Sequence, residues 1–197
     1  MLAVVTALTA AALAADPLVD LGQVIADVVL EMRYAGAANF LGRAVYPRSA
    51  AFLRRSSAAK LAQAAAALRE KGLRLTVFDA YRPLSVQRLM WKAKPDPRFV
   101  ADPMRGSAHN RGGAVDVGLR DAAGRALSMP SAFDEFGPRA AHDAPGASRE
   151  ERTNARILKA AMETAGFASL AEEWWHYRDP ASKDWPLLDI PLEELAR

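Results

Sequence analysis

The chain has 197 residues, of which 51% are hydrophobic and 25% are charged, and its formal net charge is +3. These values are typical of a soluble globular protein with one domain and a real hydrophobic core. The basic residues are scattered along the sequence, so nucleic-acid binding is not expected. Because cysteine is absent, disulfides, iron–sulfur clusters and cysteine-bound zinc are excluded. A transition metal would have to be bound by histidine and carboxylate side chains.

The N-terminal segment, residues 1–14, is apolar and ends in Ala12-Leu13-Ala14, a pattern typical of signal-peptide cleavage. It is too short to span a membrane, and we expect no transmembrane segment. It also lacks the basic residues with which signal peptides usually begin, so a frayed N-terminal helix is the alternative. We therefore predict a signal peptide over residues 1–14 and a periplasmic or secreted domain over residues 15–197. If the segment is not a signal, the protein is expected to be cytoplasmic.

The first half of the chain is predicted to alternate strands and helices. In segment 28–34 every second side chain is apolar or aromatic, which indicates a half-buried strand. Segment 56–71 is rich in alanine and is followed by Gly72, a pattern typical of a helix and its C-terminal end. An alternating strand over residues 73–79 and a helix over residues 84–93 follow.

The second half is predicted to contain three strands, one helix and two long loops. Ala114 begins a short strand, and Ser148 with Glu151 forms a capping box that opens a helix running to Gly166. The remaining segments are assigned as strands at 167–170 and 174–178 and as loops at 94–106 and 130–146. Long loops in compact domains are often functional. The expected fold class is α+β: a small, largely antiparallel sheet with helices packed against it in a single domain.

Two distant stretches of the sequence carry the candidate chemistry. His109 and Asp116 flank a pair of glycines that permit a tight approach to the strand. The chain has 3 histidines, and His176 lies near its other end. Imidazole and carboxylate are good Zn²⁺ ligands, and three of them leave a fourth position for water, as in catalytic zinc sites. A β-turn with a structural histidine and aspartate is the alternative interpretation of the first stretch.

Glu173 and Arg82 are further candidates. Glu173 could serve as a base beside His176, but residues three apart in a regular strand face opposite sides of the sheet. A shared site therefore requires a bulge, a strong twist, or a strand that begins after Glu173. Arg82 follows a predicted strand, where it could pair with Asp79 or present a cation to a site. His142 is interpreted as solvated or structural.

Five stretches of the sequence together resemble a known family. They are Met32-Arg33-Tyr34 with Asn39-Phe40-Leu41-Gly42, Asp79-Ala80-Tyr81-Arg82-Pro83, Ser107-x-His109-x-x-Gly112-x-Ala114-x-Asp116, Phe133-Asp134, and Glu173-Trp174-Trp175-His176-Tyr177. They are similar to the motifs of the zinc D-alanyl-D-alanine dipeptidases of the VanX type, which are related to the zinc D,D-carboxypeptidases. The stretches extend over most of the chain. Segment 43–52 departs from the family pattern, so Tyr46 is not assigned to the pocket, and loop 94–106 is shorter than in relatives.

The resemblance implies a Hedgehog/D,D-peptidase-like fold and one Zn²⁺ per chain. The implied site residues are the zinc ligands His109, Asp116 and His176, the catalytic acid/base Glu173, the transition-state-stabilising Arg82, and the substrate-binding residues Tyr34, Ser107 and Asp134. The implied reaction is hydrolysis of the small dipeptide D-Ala-D-Ala, by attack of a zinc-bound water on the amide carbonyl, in peptidoglycan metabolism. Asp134 would meet the free ammonium group of the dipeptide.

Two other functions remain open at this stage. A D,D-carboxypeptidase or endopeptidase would use the same zinc chemistry to trim longer muropeptides, and closure of the pocket distinguishes it from a dipeptidase. A non-catalytic zinc-binding module would keep the metal without turnover. The presence of both Glu173 and Arg82 argues against such a module.

Overall fold

A computed structural model describes residues 15–195, so the predicted signal peptide lies outside the described residues. The strands are β1 (Leu18–Asp20), β2 (Val29–Leu30), β3 (Phe52–Arg54), β4 (Leu73–Asp79), β5 (Ala114–Asp121), β6 (Ala168–Leu170) and β7 (Glu173–Arg178). The α-helices are α1 (Leu21–Val24), α2 (Arg55–Arg69), α3 (Leu84–Ala93), α4 (Arg149–Thr164) and α5 (Leu192–Leu195). Short 3₁₀ turns lie at Arg33–Ala35, His109–Arg111, Pro138–Ala140 and Pro180–Asp184.

The centre of the fold is a five-stranded sheet in the order β2-β4-β5-β7-β6. The β2–β4 pair is parallel, and the other three pairs are antiparallel. Strands β1 and β3 form a separate two-stranded antiparallel sheet. The predicted α+β class with a largely antiparallel sheet is confirmed.

Two long helices cover the main sheet. Helix α2 buries Ala58, Leu61, Ala65 and Leu68, whose spacing of three or four residues defines one apolar face. Helix α4 begins at the predicted capping box, in which Ser148 and the third residue of the helix exchange side-chain and backbone hydrogen bonds. Within residues 15–195, no helix combines the length and the apolar character needed to cross a membrane.

The predicted strand over residues 28–34 is wrong in its second half. Only Val29 and Leu30 pair with β4, and the chain then enters the turn Arg33–Ala35. The carbonyl oxygen of Tyr34 accepts hydrogen bonds from the backbone N–H groups of Val45 and Tyr46, at 2.8 and 2.9 Å. This local pairing turns the chain away from the sheet and buries the Tyr34 side chain under the loop that follows.

Strands β1 and β3 were not predicted. Each has three residues, and they hydrogen-bond to one another across a separation of more than thirty positions, Leu18 opposite Arg54. Three residues are too few to show a period of two, and the pairing depends on tertiary contacts.

The C-terminal segment forms hydrogen bonds to two loops of the main sheet and so holds them together. The Leu188 N–H donates to the carbonyl of Asn110, and the Leu188 carbonyl accepts from the N–H of Leu84. The Asp189 carboxylate accepts from the backbone N–H of Ser85 at 2.7 Å, which caps the start of α3. The segments before β5 and after β4 are thereby held together at one end of the sheet.

Candidate active site

A row of polar residues crosses three adjacent strands of the main sheet, at the end where the segments before β5 and after β4 are held together. Asp79 of β4 lies opposite Asp116 of β5, and Asp116 lies opposite His176 of β7. The register of β4 shifts at Phe78, between the pairs that involve Val77 and Asp79. Such a bulge re-aims the side chains that follow it, and here it places Asp79 beside Asp116.

His109 reaches the same place from the turn that precedes β5. The carbonyl of Ala80 lies 2.7 Å from its Nδ1, which therefore carries the proton and leaves the Nε2 lone pair free. Gly112 adopts φ +72°, and a Cβ there would lie 2.6 Å from the Leu18 side chain. The predicted tight approach of glycine to the strand is confirmed at this position.

Three candidate ligand atoms converge in this row. The Nε2 atom of His109 lies 3.2 Å from the Nδ1 atom of His176 and 3.4 Å from Oδ1 of Asp116, and the His176–Asp116 distance is 2.9 Å. A tetrahedral zinc with bonds of about 2.0–2.1 Å separates its ligands by about 3.3 Å. The donor set, the spacing and the orienting hydrogen bond of His109 therefore fit a zinc ion.

Irregular pairing of β7 with β6 explains how Glu173 and His176 can reach the same cavity, although residues three apart in a regular strand face opposite sides of the sheet. The pairing with β6 jumps from Ser169–Tyr177 to Leu170–Glu173, so residues 174–176 have no partner in β6, while His176 keeps its pairing with Asp116 of β5. Glu173 and His176 consequently line the same cavity, although they lie three residues apart. Burial raises the pKa of Glu173 to about 7, against the lowering effect of His176. A carboxyl group that titrates near neutrality can both accept and donate a proton.

Arg82 is held by two buried partners. Its Nε and one Nη2 N–H donate to the same Asp79 oxygen, Oδ2, at 3.0 and 2.5 Å, and its Nη1 donates to Oε1 of Gln87 at 2.8 Å. Burial is the largest single effect and disfavours the charged guanidinium, but Asp79, together with Tyr34, Tyr46 and Asp116, raises the pKa of Arg82 well above its ordinary value. The cation is therefore permanent and fixed in position.

Asp134 lies across the cavity, in the loop before α4. Its carboxylate accepts from the Tyr34 hydroxyl at 3.1 Å and from the backbone N–H of Phe40 at 3.3 Å. Burial, reinforced by the carboxylate of Asp116, raises the pKa of Asp134 to about 7. Asp134 also adopts φ +63°, a conformation that is uncommon outside glycine and is often found at functional sites.

All eight predicted site residues line one cavity of about 220 Å³. They are Tyr34, Arg82, Ser107, His109, Asp116, Asp134, Glu173 and His176. Ser107 faces the cavity while its hydroxyl donates to Oδ1 of Asn110 at 3.0 Å. The structure thus brings the set together, and the individual roles of its members stay predictions.

Comparison with known proteins agrees with this geometry. The family model described as D-Ala-D-Ala dipeptidase matches residues 14–190. The D-alanyl-D-alanine dipeptidase of Escherichia coli (strain K12) is 37% identical over 171 residues, which cover 87% of this chain and 89% of the relative. The chain belongs to the D-Ala-D-Ala dipeptidase family.

Two further matches of this D-Ala-D-Ala dipeptidase family member are more distant. The D-alanyl-D-alanine dipeptidase of Enterococcus faecalis (strain ATCC 700802 / V583) is 30% identical over 179 residues, covering 80% of this chain and 89% of the relative. A solved structure of VanYB in complex with D-alanine-D-alanine is 19% identical with a TM-score of 0.41, covering 66% of this chain and 72% of that one.

Sequence reasoning missed several residues that support the site. Tyr46, which was left unassigned, donates from its hydroxyl to Oδ1 of Asp79 at 2.7 Å. Asn110 donates to the Arg82 carbonyl at 2.9 Å, and Gln87 contacts the Arg82 guanidinium. A glutamine on an amphipathic helix or an asparagine in a turn carries no signal of such a role. The third histidine, His142, is buried against Tyr177 and does not line the cavity.

The outer wall of the cavity of this dipeptidase-family chain comes from the two long loops. Phe99 of loop 94–106 packs on Phe136 of loop 130–146, with ring centroids 4.8 Å apart. The ammonium group of Lys94 lies 4.8 Å from the Phe99 ring centroid and 5.1 Å from that of Phe136. The two loops therefore meet through two tilted rings in contact and a cation–π interaction.

Proposed function

We propose that this chain is a zinc-dependent dipeptidase that hydrolyses D-Ala-D-Ala in cell-wall peptidoglycan metabolism. The observation that carries the proposal is one small cavity in which the His109–Asp116–His176 cluster, the half-buried Glu173 carboxyl group and a hydrogen-bonded arginine converge. Family membership supports the substrate, and the donor chemistry supports the metal.

His109, Asp116 and His176 would hold the zinc ion. When bound, zinc polarises a substrate carbonyl and lowers the pKa of water to about 7. The hydrogen bond from Nδ1 of His109 to the Ala80 carbonyl keeps the imidazole in the tautomer that presents Nε2 to the metal.

Glu173 acts as the general base and then as the general acid. Its pKa of about 7, raised by burial, suits both roles, since it can take a proton from water and return it to the departing amine. Its place at the start of β7, next to the irregular pairing with β6, lets it line the cavity together with His176 of the same strand.

Arg82 stabilises the oxyanion that forms on the substrate. A guanidinium has five N–H donors, of which three are used by Asp79 and Gln87 among the described residues. The other two are available to the cavity, where a fixed cation opposite developing negative charge typically contributes about 10²–10³ in rate.

Asp134 selects a free N-terminus. A carboxylate buried in this cavity without a cation is unfavourable, and the substrate ammonium supplies the missing positive charge. The small volume of about 220 Å³ and the closed aromatic wall favour a dipeptide over a longer muropeptide.

The decisive test compares free with N-acetylated D-Ala-D-Ala, using zinc-loaded wild type, Glu173→Gln and a matched control, Glu172→Gln. We expect wild type to hydrolyse the free dipeptide and to leave the acetylated form nearly untouched. Glu173→Gln should keep its zinc and lose about 10²–10⁴ in kcat, while the exposed neighbour Glu172 tolerates the change.

Equal turnover of both substrates would contradict a dipeptidase and favour a D,D-carboxypeptidase. Zinc binding without hydrolysis of either substrate would favour the non-catalytic module. A dead Glu172→Gln variant beside an active Glu173→Gln variant would overturn the assignment of the base.

We also propose that the protein is exported. The support is the apolar segment 1–14 with its Ala12-Leu13-Ala14 ending and a family match that starts at residue 14. N-terminal sequencing of the protein from a periplasmic extract should give a chain that begins at Ala15. A full-length chain confined to the cytoplasm would contradict export.

A further inference from the structure

Gln87 is a fully buried polar residue in the first turns of α3, with 0% of its surface exposed. Both ends of its amide are hydrogen-bonded. Oε1 accepts from Nη1 of Arg82 at 2.8 Å, and Nε2 donates to the carbonyl oxygen of Ala101 at 2.8 Å. One side chain therefore bridges the cavity arginine and the loop 94–106 that forms part of the cavity wall.

The geometry of the hydrogen bonds made by Arg82 makes its contact with Gln87 important for the orientation of the guanidinium. The two hydrogen bonds from Arg82 to Asp79 converge on a single oxygen, Oδ2. Two contacts to one point leave the guanidinium plane free to pivot about that point. The bond from Nη1 to Gln87 is attached at another corner of the guanidinium and removes this freedom. Gln87, together with the Tyr34 ring whose centroid lies 5.4 Å from Cζ of Arg82, thus fixes where the two remaining N–H groups point.

The Nε2 end of the Gln87 amide is hydrogen-bonded to the loop that forms part of the cavity wall. Ala101 and its neighbours from Pro97 to Val100 line the cavity, and Phe99 packs on Phe136 of the facing loop. Loop 94–106 contains no helix or strand, so its position depends on a few such attachments. The Gln87–Ala101 hydrogen bond is one of them, and it joins a buried side chain of α3 to a half-buried residue of the loop.

We propose that Gln87 is a positioning residue that couples closure of the 94–106 wall to the orientation of Arg82. The inference rests on the proposed dipeptidase function, because that function gives Arg82 its part in the reaction. A displaced wall would move the Gln87 amide and turn Arg82 away from the oxyanion. A correctly seated dipeptide therefore receives the full effect of the cation, and a substrate that pushes the wall outward does not.

Two variants of Gln87 separate its two hydrogen bonds. Gln87→Met keeps the length of the side chain and removes both bonds. Gln87→Glu keeps an acceptor for Arg82, adds a negative charge beside it, and replaces the donor to Ala101 by a second acceptor oxygen. Val86→Ala, a buried apolar position on the same helix, is the control for a general loss of packing in α3.

We expect Gln87→Met to lose about tenfold to a hundredfold in kcat for D-Ala-D-Ala, since a misplaced catalytic group typically costs about that much. Gln87→Glu should lose less than about tenfold in kcat, clearly less than Gln87→Met, and its KM should be raised. Both variants should be cut by trypsin after Arg98 faster than wild type, as read by mass spectrometry. Val86→Ala should keep the wild-type kcat and the wild-type cleavage rate.

Equal loss of kcat in the two Gln87 variants, or wild-type kcat in both, would overturn the inference, since a packing role predicts no difference between them. If Gln87→Met does not fold, a tenfold or larger fall in kcat of the folded Gln87→Glu enzyme also overturns it. Wild-type kcat with a raised KM in that enzyme supports it. Failure of the proposed function is separate, because it would appear as inactive zinc-loaded wild type.

Discussion

The cavity has two halves that are built differently. The strand-borne half carries Asp116, His176 and Arg82 on or next to β5, β7 and β4, and its polar atoms are placed by strand register and buried hydrogen bonds. The loop-borne half carries Asp134 and the Phe99–Phe136 pair, and it is held by ring stacking, cation–π contacts and the Gln87 bridge. Strands therefore supply the groups that need exact positions, and loops supply the enclosure.

This difference predicts two kinds of mutational effect. A change in the strand-borne half should abolish metal binding or lower kcat, because the geometry of several strands has no alternative arrangement. A change in the loop-borne half should act on substrate choice and KM. Four substitutions, in order of decreasing expected effect, test whether the two halves differ in this way.

The largest effect is expected for His176→Ala. Removal of one of three ligands leaves an incomplete zinc site, so both the metal and the activity should be lost. Elemental analysis of purified protein should give near one zinc per chain for wild type and almost none for the variant. His142→Ala, which alters the histidine outside the cavity, should keep its zinc. Retention of full zinc by His176→Ala would remove this residue from the ligand set.

Arg82→Lys should follow, with a loss of about 10²–10³ in kcat and unchanged zinc content. Lysine keeps the charge but cannot make the forked contacts to Asp79 and Gln87. Steady-state kinetics would measure the loss, with the exposed helix substitution Arg88→Lys as the control. A fall confined to KM would place Arg82 in ground-state binding instead.

Asp134→Asn should have a smaller and more selective effect. Loss of one member of a buried charge pair typically costs on the order of 2–5 kcal/mol, so kcat/KM for the free dipeptide should fall at least about tenfold. Turnover of N-acetylated D-Ala-D-Ala, which has no ammonium, should change far less. The control is Asp143→Asn, an exposed carboxylate of the same loop. An equal effect on both substrates would show that Asp134 does not bind the ammonium group of the free dipeptide.

The smallest of the four effects is expected for Phe136→Ala. Loss of an aromatic pair is worth about 0.5–1.5 kcal/mol, so KM should rise about threefold to tenfold with little change in kcat. Acceptance of the acetylated dipeptide should increase as the wall opens. Met104→Ala, which changes an exposed side chain of the other loop, should leave both parameters unchanged. A loss in kcat comparable with that of Arg82→Lys would contradict the predicted difference between the two halves of the cavity.

Local patterns in the sequence were enough for much of the fold. Strand β4 and helix α3 were predicted with the bounds that the structure shows, since one alternates regularly and the other begins directly after a proline. The capping box at Ser148 and the end of α2 before Gly72 were likewise confirmed. Segment 28–34 failed because hydrogen bonds from Val45 and Tyr46 replaced the expected strand pairing.

The amino-acid sequence alone restricts the residue types that can form the site. Without cysteine, a metal must be bound by histidine and carboxylate, and the resemblance to the dipeptidase family named eight of the residues that line the cavity. How these residues meet depends on contacts between distant parts of the chain. The register shift at Phe78 accompanies the pairing of Asp79 with Asp116, and the shift between β6 and β7 lies where Glu173 and His176 line the same cavity. The partners of Arg82 could not be predicted either, because Gln87 acts through long-range geometry that leaves no local pattern in the sequence.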